Sequence, residues 1–236
     1  MESLKGKVVL VTGASRGIGL AIAQAFGRES AQLVLVARNK KALRAAAEKV
    51  QGDPLTVGAD VTSPADVAKL FRTLQRRYKH LNVLVNSAGV FTYKPFERTT
   101  LQDWRAGLET NLTSLFLMTR AALPLLKRSR GAHIVNILSV SSRSAFRNCS
   151  AYCAAKFGAL GLTRVLREEF RPLGIRVTAI LPGPTDTRMV KAFDFPIDRT
   201  KLIQPEDIGE AVLAALLQPP RTTVEEVHLM PSAGRL

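Results

Sequence analysis

A tyrosine and a lysine stand at a spacing suited to proton transfer. Tyr152 and Lys156 are four residues apart in a segment predicted to be helical, so their side chains share one face. A phenol ordinarily titrates at about pH 10, too high for easy proton exchange at neutral pH. A neighbouring ammonium favours the phenolate and lowers the pKa of the tyrosine. The pair therefore predicts a general acid and base, with Tyr152 exchanging the proton.

A glycine-rich loop provides a second chemical signal. The segment Thr12-Gly13-Ala14-Ser15-Arg16-Gly17-Ile18-Gly19 follows an apolar run and leads directly into a predicted helix. Backbone N–H groups and the positive end of the helix macrodipole make such a loop a site for a diphosphate. Glycine allows the tight turn and the close approach of a ligand to the backbone.

Alternating apolar runs and amphipathic segments must position these groups. The predicted strands are Lys7–Thr12, Leu33–Ala37, Leu55–Ala59, Asn82–Asn86, His133–Leu138, Arg176–Ile180 and Val224–Leu229. The predicted helices are Gly17–Arg28, Lys40–Val50, one that begins at Ser63-Pro64, Leu101–Lys127, Ala151–Arg171 and Pro205–Leu217. Alternation favours parallel pairing with right-handed crossovers, and consecutive apolar residues indicate strands buried on both faces. We expect a single α/β domain over residues 1–236, a doubly wound (Rossmann) seven-stranded parallel sheet flanked by helices.

Four sequence motifs, in order, are typical of one family. The glycine spacing is G-x-x-x-G-x-G, and Asn86-Ser87-Ala88-Gly89 follows the fourth predicted strand. Ser139, Tyr152 and Lys156 form S-x12-Y-x3-K, and Pro182-Gly183 is followed by Thr187. From about Lys5 to Met230 the chain resembles the short-chain dehydrogenase/reductase family. The resemblance implies an oxidoreductase that moves a hydride between a nicotinamide cofactor and a carbonyl or alcohol carbon.

The resemblance also assigns roles around the reacting atoms. Ser139 would hydrogen-bond the substrate oxygen and stabilise developing negative charge, with Ser141 as the alternative serine. Lys156 would also bind the ribose of the nicotinamide. Asn111 would hold a water that relays the proton from the lysine, or it is an ordinary asparagine on the helix surface.

Cofactor contacts are expected along the whole carboxyl edge of the sheet. The adenine amino group would bind Asp60, unless this acid only begins the next helix, and Val61 would line the same pocket. Asn86 would stabilise the central sheet. The full predicted set is Gly13, Ser15, Arg16, Gly17, Ile18, Gly19, Arg38, Asp60, Val61, Asn86, Ala88, Gly89, Tyr152, Lys156, Pro182, Gly183, Thr185 and Thr187.

The residues after the second strand favour NADP(H) over NAD(H). Enzymes of this fold that use NAD place an acid there for the ribose 2′-hydroxyl. Here the segment from Leu33 to Lys40 holds no acid. Arg38 stands at the strand end, and Arg16 rises from the glycine loop toward the same corner. Two guanidinium groups suit a 2′-phosphate, although Arg38 alone is also compatible with a solvated surface charge.

The substrate pocket is expected between two segments. The first contributes Val140, Phe146 and Cys149; the second is a loop or lid over residues 185–203 with Met189, Phe193 and Phe195. Arg188, Lys191 and Arg199 lie in the same loop. This mixture suits an apolar carbonyl compound that carries an anionic handle.

The activity within this class stays open between alternatives. We expect a ketone or aldehyde reductase, since the ending after Val224 resembles that of carbonyl and sepiapterin-type reductases. A 3-oxoacyl-carrier-protein reductase is the second candidate, because Arg130 and Arg171 resemble residues that dock an acidic carrier protein. A non-catalytic NADP(H)-binding regulator is the alternative of another class.

Composition bears on partners and surroundings. The formal net charge is +15, yet the basic residues are dispersed, so we expect an electropositive anion-binding surface without specific nucleic-acid binding. No apolar run approaches the roughly 20 residues of a membrane helix. There is no metal-ligand pattern, no G-x-S-x-G element of a serine hydrolase and no apolar export signal. The predictions are a cytoplasmic protein without bound metal, a small-molecule substrate, and a homodimer or homotetramer paired through its long helices.

Overall fold

Seven strands, all parallel, form one sheet in the order β3-β2-β1-β4-β5-β6-β7. The computed structural model describes residues 3–193 and 196–234. The strands are β1 Val8–Thr12, β2 Gln32–Ala37, β3 Leu55–Gly58, β4 Val83–Asn86, β5 His133–Ile137, β6 Arg176–Pro182 and β7 Glu226–Leu229. The predicted doubly wound sheet is confirmed.

Helices cover both faces of the sheet. They are α1 Gly17–Arg28, α2 Lys40–Ala47, α3 Pro64–Arg77, α4 Leu101–Leu108, α5 Ser114–Leu126, α6 Ser150–Phe170 and α7 Pro205–Leu216. As expected, Ser63 caps α3 by accepting a hydrogen bond from the N–H of Asp66, with Pro64 in the first turn. Helix α2 is shorter than predicted because the N–H groups of Lys49 and Val50 bond three residues back, which tightens its end.

The strand order reverses between β1 and β4. The chain runs outward to β3 on one side and returns to add β4 to β7 on the other. In open α/β sheets a ligand binds in the crevice outside the carboxyl ends of the strands at such a point. The glycine loop follows β1, and the Asn86–Gly89 motif follows β4, so both meet at this crevice.

Each central strand contributes to two cores. Along β1, Leu10 belongs to the apolar layer on one face, while Val9 and Val11 belong to the layer on the other. All five residues of β1 are buried. This is why the strands read as continuous apolar runs rather than as alternating ones.

The glycine loop and the start of α1 are in backbone contact. A Cβ on Gly19 would lie 2.5 Å from the carbonyl oxygen of Gly13. Gly13 has a φ of +66°, and a Cβ there would lie 2.9 Å from Cα of Ala88. Side chains are therefore excluded at both positions, and the loop packs directly on the segment after β4.

The helix predicted over Leu101–Lys127 is interrupted. Helices α4 and α5 are joined by a π-helical turn at Glu109–Thr113. Within this turn the Nδ2 of Asn111 donates to the carbonyl of Gly107, four residues back. Because a side chain occupies the acceptor that a regular helix gives to a backbone N–H, the turn widens.

Candidate active site

Ser139, Tyr152 and Lys156 come together at the carboxyl end of β5. Ser139 follows this strand, and the other two residues lie on one face of α6. Tyr152 shares a side-chain hydrogen bond with Ser139. The Nζ of Lys156 donates to the carbonyl of Ile137 at 3.0 Å and lies 5.6 Å from the centroid of the Tyr152 ring. The arrangement places a phenol, a hydroxyl and an ammonium around one point.

Burial moves the pKa values of the two titratable groups in opposite directions. It raises the pKa of Tyr152 to about 12, against the hydrogen bond from Ser139, which lowers it. Burial also lowers the pKa of Lys156 to about 8. The pKa of Tyr152 in the protein alone thus lies above its usual value, where the spacing argument expects it below. The charge of the lysine favours the phenolate, but the cost of burying a phenolate outweighs it here.

Ser139 is better placed than Ser141 for the hydroxyl role. Its side chain meets Tyr152, and its Oγ also accepts a hydrogen bond of 3.0 Å from the N–H of Ser141. This second bond begins a short 3₁₀ turn at Val140–Ser142 and holds the Ser139 side chain in place.

A cavity of about 410 Å³ opens beside these residues. Five of the six residues expected in the substrate pocket line it, namely Val140, Phe146, Cys149, Met189 and Phe193. Phe195 lies outside the described residues. The cavity is also lined by Ile18, Gly183, Thr185 and Thr187. It therefore extends to the glycine loop on one side and to the segment after β6 on the other.

The sequence argument missed two aromatic residues of this cavity. The Phe91 ring contacts that of Tyr152 edge-on, with centroids 4.9 Å apart, and lies 5.2 Å from the Phe193 ring. Tyr93 also lies 5.2 Å from Phe193. The only sequence signal is their position two and four residues after Gly89. Because a loop separates them from the motif, spacing alone does not indicate which way their rings face.

A second, smaller pocket of about 70 Å³ lies at the ends of β1 to β4. It is lined by Gly13, Val36, Ala37, Arg38, Ala59, Asp60, Val61, Thr62, Ala88, Gly89 and Thr110. Six of the eighteen predicted cofactor residues line this pocket, namely Gly13, Arg38, Asp60, Val61, Ala88 and Gly89.

Comparison with known proteins places this geometry in a family. The family model described as short chain dehydrogenase matches residues 7–195. The chain belongs to the short chain dehydrogenase family. This confirms the family and the enzyme class expected from the motifs.

Individual relatives align with this chain over nearly its whole length and over nearly their own. The sepiapterin reductase of Chlorobaculum tepidum is 37% identical over 239 residues, covering 96% of this chain and 97% of that protein. An uncharacterized oxidoreductase of Staphylococcus aureus is 35% identical over 232 residues, covering 98% of this chain and 100% of that protein.

Solved structures agree with the fold of this dehydrogenase. A metagenomic short-chain oxidoreductase in complex with NADP has a TM-score of 0.85 and 30% identity, with 97% of this chain and 98% of that one covered. An alcohol dehydrogenase from the archaeon Thermococcus sibiricus, complexed with 5-hydroxy-NADP, has a TM-score of 0.89 and 28% identity, with 98% and 99% covered. The cofactor predicted from Arg38 is thus the kind held by these neighbours.

The small pocket of the dehydrogenase has the polar groups that the adenosine half of such a cofactor requires. Partial burial raises the pKa of Asp60, but hydrogen bonds from Thr62 and the charge of Arg38 outweigh it, so the pKa is lowered. The carboxylate lies 3.9 Å from the Arg38 guanidinium. Arg16 is exposed and does not line the pocket, so its convergence with Arg38 stays a prediction.

Thr12 connects the two motifs that form the crevice. Its hydroxyl accepts from the N–H groups of Ser87 and Ala88, at 2.9 and 3.1 Å, and donates to the carbonyl of Val85. The sequence gives no sign of this role, because a hydroxyl at a strand end shows no partner in sequence. Its contacts fix the distance between the glycine loop and the segment after β4.

Asn86 and Asn111 act on the framework rather than facing the pockets. The Nδ2 of Asn86 donates to Oδ1 of Asn136 on β5, in line with a sheet-stabilising role. Asn111 is buried and holds the backbone of Val90 through both its amide oxygen and its amide nitrogen, at 3.2 and 3.0 Å. A water relay beside Lys156 stays a prediction.

The segment over residues 185–203 begins and ends at one point. Thr185 pairs with Ile203 in an isolated bridge, and Asp186 forms an ion pair with Arg199. Arg188 and Lys191 do not line the cavity. Of the three cations expected to bind an anionic handle, Arg199 is therefore paired and the other two lie outside the cavity lining, and the role of a lid stays a prediction.

Arg130 and Arg171 lie at the opposite edge of the sheet. They follow α5 and α6, just before the amino ends of β5 and β6, while the reacting centre is at the carboxyl ends. Arg171 also pairs with Glu168 and Glu225. A carrier protein docked on both arginines would not face the cavity of the same chain.

Neither a metal-binding cluster nor a membrane-spanning helix is found among the residues that the structure describes. In residues 3–193 and 196–234, no three His, Cys, Asp or Glu side chains are grouped closely enough to hold a metal ion. Over the same ranges, no helix is both long and apolar enough to cross a membrane.

Proposed function

We propose that this protein is an NADP(H)-dependent oxidoreductase that reduces a ketone or aldehyde to an alcohol, reversibly. The observation that carries the proposal is the position of Ser139, Tyr152 and Lys156. Ser139 and Tyr152 line a 410 Å³ cavity that continues into the glycine-loop crevice, and the buried Lys156 lies behind them, 5.6 Å from the centroid of the Tyr152 ring. A bound nicotinamide would supply or accept the hydride.

Proton transfer is assigned to Tyr152. With a pKa raised to about 12, its phenol is protonated at neutral pH and can donate the proton that a newly formed alkoxide needs. Ser139 donates a hydrogen bond to the same substrate oxygen and stabilises its developing charge. Lys156 is held by the Ile137 carbonyl, and its ammonium stabilises the phenolate left behind. In alcohol oxidation the same groups act in reverse.

NADP(H) is the proposed cofactor because charge, space and similarity agree. Arg38 lines the adenosine-side pocket, and no acid precedes it on β2. Gly13 and Gly19 leave space where a Cβ would collide with backbone, so a diphosphate can approach the N–H groups of the loop. Two similar solved structures are complexes with NADP or 5-hydroxy-NADP.

The proposal is tested with Tyr152→Phe. Loss of the phenolic proton should lower kcat by about 10²- to 10⁴-fold, the usual contribution of a general acid, while NADPH still binds. The measurement is NADPH consumption with a panel of ketones, aldehydes, quinones and 3-oxoacyl thioesters, with NADH in parallel. Tyr78→Phe, which removes a phenol at the end of α3, is the matched control and should leave turnover unchanged.

Each outcome separates the alternatives. NADPH-selective turnover that is lost in Tyr152→Phe supports the carbonyl reductase, and turnover confined to 3-oxoacyl thioesters would support the acyl reductase instead. Tight NADPH binding without turnover of any compound would overturn the proposal in favour of a non-catalytic regulator.

A further inference from the structure

The lining of the large cavity is basic rather than acidic. It includes two arginines and a histidine, Arg143, Arg147 and His228, and neither Asp nor Glu occurs among the lining residues that the structure describes. The apolar lining includes the rings of Phe91, Phe146 and Phe193. A cavity of this kind favours a ligand with an apolar body and a negative group.

Arg143 is already neutralised by the protein. Its guanidinium forms an ion pair with Glu226, whose largely buried carboxylate also accepts from Nε of Arg164 at 2.9 Å. These contacts tie the segment after β5 to α6 and to β7. Recruiting Arg143 for a substrate would leave Glu226 with fewer partners, so we assign Arg143 to the framework.

Within residues 3–193 and 196–234, the side chain of Arg147 has no ion pair or hydrogen bond, and the residue is exposed and lines the cavity. Arg143 is exposed as well, but its guanidinium is paired with Glu226. The lid cannot replace it, since Arg199 pairs with Asp186 and Lys191 does not line the cavity. Arg147 is therefore the lining guanidinium available to a ligand.

The backbone that carries Arg147 is held on both sides. The next residue, Asn148, has a left-handed φ of +63°, and its carbonyl accepts a 2.7 Å hydrogen bond from the N–H of Lys94. The N–H of Cys149 bonds to the carbonyl of Phe146. Lys94 is itself anchored to Asp103 at 2.6 Å. The turn that carries Arg147 is thus joined to the loop that carries Phe91, and both segments line the cavity.

We propose that the substrate is an aromatic ketone or aldehyde that carries a carboxylate, and that Arg147 binds this carboxylate. The inference rests on the proposed function, since it names the substrate class of the same site. The planar guanidinium fork matches a carboxylate through two parallel hydrogen bonds. Phe91 and Phe193 pack on the ring while the carbonyl oxygen meets Tyr152 and Ser139.

The test uses substrates that differ by one charge. Wild type is supplied with NADPH and either 3- or 4-formylbenzoate, or the methyl ester of each. We expect kcat/KM for at least one acid to exceed that for its ester by about tenfold or more, as for a charge-assisted hydrogen bond. The preference should weaken at high salt, because Arg147 is exposed.

Three variants identify the residue responsible. Arg147→Gln should remove the acid preference through KM, and Arg147→Lys should keep part of it. Arg128→Gln, an equal loss of charge after α5 at the far edge of the sheet, should leave it unchanged. An acid-to-ester ratio near one in wild type, or one that Arg147→Gln does not alter, overturns the inference.

A binding measurement separates this inference from the proposed function. Calorimetry with the corresponding hydroxymethylbenzoates and their esters, without nicotinamide, reports anion preference without turnover. Preference for the acid that is lost in Arg147→Gln supports the anion site even if no aldehyde is reduced, a result that would count against the proposed function alone. Equal binding of acid and ester overturns the anion site.

Discussion

Tyr152 and Lys156 show how two buried groups depend on one another. Burial disfavours the charged form of each, which raises the pKa of the tyrosine and lowers that of the lysine. The Nζ of Lys156 lies 5.6 Å from the centroid of the Tyr152 ring, and opposite charges at such close range attract. Phenolate and ammonium therefore stabilise each other when the proton leaves Tyr152. Spacing in sequence indicates the pair, while the cost of burial is set by the residues around it.

Arg38 is the residue on which cofactor choice is expected to depend. Arg38→Gln should lower kcat/KM with NADPH by about tenfold or more and change that with NADH little, because only NADPH offers a 2′-phosphate to the guanidinium. The measurement is steady-state kinetics with both cofactors. Arg44→Gln, an equal charge loss on the neighbouring α2, is the control. Equal losses with NADPH and NADH in Arg38→Gln would refute the assigned role.

Polar side chains inside the sheet connect its strands to one another. His133 on β5 is fully buried, and its Nε2 bonds to the Thr178 hydroxyl of β6 at 2.7 Å. That hydroxyl donates in turn to the carbonyl of Val224. His133 therefore donates from Nε2, and burial, aided by the charge of Arg176, lowers its pKa to about 3.

His133 should make the folded state sensitive to acid. Because the pKa of His133 is about 3 in the folded protein and the ordinary value of a histidine is 6.5, the unfolded chain binds the proton first as pH falls. Stability is thus unaffected by His133 above pH 6.5 and is lost between 6.5 and about 3, by up to roughly 1.4 kcal/mol per pH unit.

Chemical denaturation across this pH range tests the prediction. His133→Gln, which cannot titrate, should show a shallower loss of stability below pH 6.5 than wild type, whatever its absolute stability. His228→Gln, at an exposed position, should keep the wild-type slope. Parallel pH profiles for wild type and His133→Gln would contradict the assignment.

At the scale of the molecule, an apolar face on the long helices remains exposed. Phe116 on α5 is 45% exposed, and Phe157 and Val165 on α6 are 46% and 52% exposed. Exposed large apolar side chains grouped on neighbouring helices mark an interface. We propose that two chains pair through α5 and α6, which makes the protein a homodimer or, with a second interface, a homotetramer.

Light scattering with Phe157→Glu tests the pairing. Wild type should have at least twice the monomer mass of 25.7 kDa at micromolar concentration, and the buried charge of the variant should shift it toward the monomer. Leu173→Glu, a similar change outside these helices, should keep the wild-type mass. A monomeric wild type would rule out the proposed interface.

The +15 charge also acts at this scale. It supports attraction of an anionic cofactor and, as proposed, of an anionic substrate. The expectations of a cytoplasmic location and of no specific nucleic-acid partner stay predictions.

The sequence alone determined the parallel sheet, the order of its elements and the motifs that follow its strands. Local sequence patterns suffice for this. Strands buried on both faces are continuous apolar runs, and their alternation with helices allows few ways of connecting the strands. Ser139, Tyr152 and Lys156 could be found for the same reason, since strand ends and helix faces follow from periodicity.

Only the tertiary structure decided which loop side chains share the cavity. Phe91, Tyr93 and Arg147 belong to loops with no period, and their neighbours are distant in the chain. The interruption at Asn111 depends likewise on Val90, a partner 21 residues away. The availability of Arg147 and the neutralisation of Arg143 follow from whether an acid reaches each guanidinium, and that is a matter of packing in three dimensions.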